Sequence, residues 1–202
     1  MSDNTFRLAI YITGFVLGFV LMGFEMLSSR YLNPYFGSGI YTWAAIISVT
    51  LFSLMLGYFL GGRLVDRFPN ASLLGVLILF AAAGMAIIPP FDDQMLGWVI
   101  VTVGDGPEGV TTASLFLLIV PLTLISCYSP FAVRLLLEST DTSGRQTGAV
   151  YGINTFGNIL GTLFTTFYLI PTIGSVAITW VFASVTVACG LFLIYIGRRR
   201  RA

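Results

Sequence analysis

Residues 14–30 read GFVLGFVLMGFEMLSSR. The stretch is an apolar helix that carries one acid, Glu25, before it reaches Arg30. An ionised carboxylate in hydrocarbon costs several kcal/mol or more unless it is paired, hydrated or protonated. A membrane helix therefore rarely keeps one without use for it. Gly14, Gly18 and Gly23 in the same stretch leave room for a neighbouring helix to come close. Arg30 is the nearest candidate partner for Glu25.

The rest of the chain has the same character. It has 202 residues, 56% hydrophobic and 9% charged, with a mean hydropathy of +0.91. A soluble domain carries roughly 25% charged residues. That deficit implies an integral membrane protein. A bilayer-spanning helix needs about 20 apolar residues, and six segments qualify: residues 8–29, 42–64, 71–89, 112–137, 148–170 and 175–197. The expected fold is an all-α six-helix transmembrane bundle over residues 1–202, set as multi-pass in a bacterial inner (plasma) membrane. A shorter apolar piece, residues 95–103, reads as an interfacial or re-entrant segment, or a short strand. Residues 31–41, YLNPYFGSGIY, read as an aromatic interfacial belt with turns, or as an outer rim that contacts a ligand.

Orientation follows from the arginines, since short cytoplasmic loops retain positive charge. Arg63 and Arg67 follow the second span, Arg134 and Arg145 flank the fourth–fifth loop, and Arg198–Arg201 end the chain. The third–fourth loop carries only acids, Asp92, Asp93, Asp105 and Glu108. Both termini are therefore expected in the cytoplasm. At that side Arg63, Asp66 and Arg67 are ordinary surface charges or a latch to Arg134, Glu138 or Arg145; residues three apart on a helix can pair.

Helix packing is written in the glycines. Gly14 and Gly18, Gly57 and Gly61, Gly148 and Gly152, and Gly157 and Gly161 each recur at a spacing of four, which puts each pair on one face and permits close contact. Asn154 and Asn158 share a face of the fifth span. They either fix the bundle by interhelical hydrogen bonds or line a polar cavity with Glu25. Pro121 and Pro130 kink or break the fourth span. Cys127 and Cys189 sit in apolar helices as small filler. With no His and no clustered thiols, no metal or cofactor is expected. The arginine tail beside a membrane helix suits anionic lipid rather than nucleic acid.

Two stretches together resemble the membrane region of membrane-integrated spermidine synthase-like proteins, the fused major-facilitator/spermidine synthases. GFEMLSSRYLNPYFGSGIYTWAAIISVTLFSLMLGYFLGGRLVDR (residues 23–67) resembles their first two helices. GAVYGINTFGNILGTLFTTFYLIPTIG (residues 148–174) resembles their fifth, through Tyr151, Asn154, Thr155, Gly157, Leu169, Ile170, Pro171 and Gly174. Gly62, Arg63, Asp66 and Arg67 also resemble a short major-facilitator signature. The resemblance implies a half major-facilitator bundle. In those proteins a soluble aminopropyltransferase-like domain carries the nucleotide-binding loop and the catalytic Asp; the resemblance here is to the membrane half, lacking that domain. One buried acid without a second catalytic group is not an active site, so no catalysis by the chain alone is expected.

Three functions compete. One is a membrane subunit that anchors or serves a soluble aminopropyltransferase-like partner. Another is an accessory subunit of a larger membrane complex. The third is a half-transporter for a polyamine-like cation or a proton, built on Glu25, Asn154 and Asn158 and working with a second copy or another chain.

Overall fold

The computed structural model describes residues 3–137 and 143–199. Its helices are α1 (Asp3–Phe36), α2 (Ile40–Arg67), α3 (Ala71–Thr102), α4 (Pro107–Ser126), α5 (Tyr128–Leu136), α6 (Ser143–Phe164), α7 (Ile170–Ile173) and α8 (Ser175–Arg199), with a π-helical turn at Thr165–Leu169. Taken as continuous rods, six of these segments are long and apolar enough to cross a membrane. The all-α six-helix bundle is thus the architecture of the chain. Phe59, Phe80 and Phe116 face outward, as side chains in a lipid-facing belt do.

Helix α1 is the hub. It touches α2, α3, α4, α5, α6, α8 and the π turn. Leu17, Val20, Phe24, Leu27 and Leu32 are fully buried along it. Elsewhere the helices pack as close pairs, α3 on α8 and α2 on α4. A Cβ added at Gly75 would stand 2.5 Å from the Gly190 carbonyl oxygen, so α3 and α8 approach almost backbone to backbone.

Two boundaries differ from the sequence reading, those of the first and third spans. Helix α1 continues through Pro34 to Phe36, where Gly37 turns the chain at φ 69°. Most of the 31–41 stretch is therefore helix rather than turn. Helix α3 runs through Pro89 and Pro90 to Thr102. The 95–103 piece is its last turns, not a re-entrant segment or strand. Two prolines remove donors, but Leu96 and Val99 are buried, and that burial holds the helix together. The fourth span breaks at Cys127, between α4 and α5. Pro130 has no N–H for the carbonyl of Ser126, which frees the backbone there.

The π turn has a similar origin. Pro171 has no N–H to give the carbonyl of Phe167, and its ring crowds that turn. The helix widens, so that Ile170 N–H bonds the Thr165 carbonyl five residues back. Gly174, at φ 76°, then reverses the chain into α8, a conformation open to glycine at little cost.

The basic ends gather at one end of the bundle. Gly197 near the end of α8 lies against Ser72 at the start of α3, which puts Arg198 and Arg199 beside the Arg63–Arg67 turn. At the opposite end Tyr35 of α1 donates a hydrogen bond to Asp93 of α3 at 2.8 Å.

Candidate functional site

Glu25 is 4% exposed. It points between α1 and α2, where the hydroxyl of Thr50 is beside its carboxyl. The two do not complete a hydrogen bond: Glu25 Oε2 and Thr50 Oγ1 both lack a partner. Ser28 donates to the Glu25 backbone carbonyl at 2.6 Å, not to its side chain. The carboxyl is thus enclosed, with one oxygen unanswered. A buried polar atom left in this way costs about 1–3 kcal/mol.

Arg30 is not its partner. No ion pair joins the two, and Arg30 is exposed. The helix explains why. Residues three or four apart face each other, whereas five apart stand about 140° around the axis. Arg30 instead borders two cavities at the acidic end of the bundle. One of these, about 230 Å³, lies between the ends of α1 and α2 and the π turn, walled by Ser29, Asn33, Thr42, Trp43 and Thr166.

Asn154 and Asn158 do share a face, and that face meets α1 at Gly18. A Cβ there would lie 2.7 Å from Asn154 Oδ1 and 2.9 Å from Asn158 Oδ1. The Asn154 amide also reaches Ser129 Oγ at 3.5 Å. Gly18 is seven residues from Glu25, roughly 10 Å along the helix. The asparagines and the acid are therefore two separate places and not the single polar site expected. Asn158 Oδ1 lacks a hydrogen bond, as do Thr165 and Thr166 in the π turn that follows.

Arg63, Asp66, Arg67 and Arg134 are all exposed, and no ion pair links them. Arg67 lies instead over the ring of Phe68, 5.6 Å from its centre. The charge latch is absent among the described residues; Glu138 and the last two arginines, Arg200 and Arg201, lie outside them. Arg145 is exposed.

The glycines divide sharply. Gly157 and Gly161 carry α6 onto the backbone of α1 at Phe15 and Phe19. Gly57 and Gly61 carry α2 onto Ser126, Cys127 and Pro130. Gly14 receives the ring of Tyr128, whose hydroxyl donates to the Ile10 carbonyl. Gly148 and Gly152 meet nothing within 4 Å. Among the described residues no neighbouring helix packs on them, and Tyr151, Thr155 and Phe156 beside them are also exposed. Only 17% of the apolar part of the span containing α6 is buried, against 39–61% in the other five.

Sequence reasoning missed Thr50, a threonine among apolar neighbours with no spacing signal, and the Gly75–Gly190 contact, whose members lie far apart in the chain. No family model, curated protein or solved structure matches this chain.

Proposed function

We propose that this chain is a non-catalytic membrane subunit that binds a partner protein through the open face of α6. The observation that carries this reading is the bare Gly148–Gly152 face. The same four-residue glycine spacing is filled by a neighbouring helix at Gly57–Gly61 and Gly157–Gly161. Small residues at such spacing serve close helix contact in lipid, and here no helix among the described residues supplies it. Tyr151 and Thr155 give the face two polar groups that a partner can answer. The face begins near the basic end of the bundle, expected in the cytoplasm of a bacterial inner membrane. That placement suits a partner with a cytoplasmic body. The resemblance described above favours a spermidine synthase-like transferase; a larger membrane complex is the other candidate.

The test is mild-detergent purification of the tagged full chain with mass spectrometry of what co-elutes. Gly148→Leu with Gly152→Leu should strip the partner and leave thermal stability unchanged. A co-eluting set that is the same with and without the leucines, or a chain that purifies alone, would overturn the reading.

A second reading, a half-transporter for a proton or a polyamine-like cation, is favoured by the unanswered oxygen of Glu25. It requires Glu25→Gln to abolish uptake of putrescine or protons in reconstituted vesicles. Uptake at the original rate in that variant ends it.

A further inference from the structure

A second cavity, of about 680 Å³, opens at the acidic end of the bundle. Three helices wall it: α1 through Arg30 and Tyr35, α3 through Asp92 and Asp93, and α8 through Trp180. Its size falls within the roughly 300–1,000 Å³ of small-molecule sites. The walls are held in place. Tyr31 shares a 2.7 Å hydrogen bond with Thr179 and ties α1 to α8. Tyr35 donates to Asp93 Oδ1 at 2.8 Å and ties α1 to α3. Asp92 Oδ1 accepts the Asp93 backbone N–H at 2.9 Å, which orients that carboxylate.

Both signs of charge face this one space, and no ion pair joins Arg30 to either aspartate. A simple anion in the cavity would lie beside two carboxylates, and a simple cation beside a guanidinium. A ligand carrying both charges satisfies each group. The guanidinium offers a planar fork suited to a carboxylate. The aspartates accept from an ammonium, and Tyr35 and Trp180, which line the same space, supply aromatic rings of the kind that attract a cation.

We propose that this cavity binds a small zwitterion of the amino-acid kind, its carboxylate on Arg30 and its ammonium on Asp92 and Asp93. The site shares no residue with the α6 face and stands whether or not a partner docks there. Arg30 and Asp93 are exposed on the free chain, so these charges need no burial before a ligand arrives.

Equilibrium dialysis against the full chain in lipid nanodiscs tests this, with leucine, glycine and 4-aminobutyrate as zwitterions. Leucine methyl ester keeps only the ammonium, and N-acetylleucine keeps only the carboxylate. At least one zwitterion should bind, and each single-charge analogue should bind at least about tenfold more weakly than leucine or fail to bind, given the usual worth of a hydrogen bond to a charged group. Arg30→Gln should weaken the zwitterion while leaving the ester unchanged, and Asp93→Asn should weaken the zwitterion while leaving N-acetylleucine unchanged. No binding by any of the three zwitterions overturns the proposal. So does an ester that binds as well as leucine, which would make this a plain cation site. The wild-type comparison stands alone if either variant fails to fold.

Discussion

Gly161→Ala is the substitution whose cost the structure fixes most clearly. The new methyl group would overlap the Phe19 carbonyl oxygen and stand 2.7 Å from the Phe19 Cα, where real Cβ contacts essentially never fall below 3.0 Å. Every atom in the way is backbone of α1, so no rotamer change relieves the clash. The two helices must separate by roughly 1 Å, and a gap of that order forfeits a quarter to a half of each dispersion contact along the seam. Overpacking of this kind costs about 1–3 kcal/mol, and the length of the α1–α6 seam puts this case near 2–3 kcal/mol. Gly157 lies on the same seam, against Phe15. Gly157→Ala with Gly161→Ala should therefore cost less than their sum, since one separation relieves both. Gly148→Ala, with nothing within 4 Å, should stay within about 0.5 kcal/mol of wild type. Reversible unfolding in mixed micelles, followed by circular dichroism as the denaturing detergent fraction rises, measures all four. Equal stability of the Gly161 and Gly148 variants would refute the packing argument.

Glu25→Met should raise stability in the same assay by about 1–2 kcal/mol, because it removes a buried oxygen that has no hydrogen bond; an unchanged or lower midpoint would mean that the carboxyl is satisfied after all. Tyr31→Phe should cost about 1 kcal/mol, the value of one buried hydrogen bond to Thr179, and its effect should vanish in a Thr179→Val background. Cys127 is fully buried, so a membrane-permeant maleimide should leave it unlabelled in the native chain and label it once the chain is unfolded.

Much of the fold was legible because lipid demands it. An apolar run of about 20 residues has few alternatives to a spanning helix. Where the helices ended was less legible. The first and third spans were placed at residues 8–29 and 71–89, yet the helices continue past Pro34 and past Pro89 and Pro90. The pairing of Glu25 with Arg30 rested on proximity in sequence; helical geometry, with the two five positions apart, already argued against it. Asn154 and Asn158 were found by their four-residue spacing, but that they face Gly18 depends on how α1 and α6 are rotated against each other, which no local pattern reports. The cavity at the acidic end was hidden for a different reason. Asp92 and Asp93 read as loop charges that set topology, and only the continuation of α3 past Pro90 brings them to Arg30 and Trp180.

The central claim is that the open face of α6 meets another protein. Site-specific photocrosslinking in intact membranes tests it most directly, with a benzophenone side chain at Tyr151 on that face and, as a control, at Phe80, an outward-facing residue of α3. The account predicts a protein adduct of one defined mass from Tyr151 and only lipid adducts from Phe80. Lipid adducts alone from both positions would contradict it.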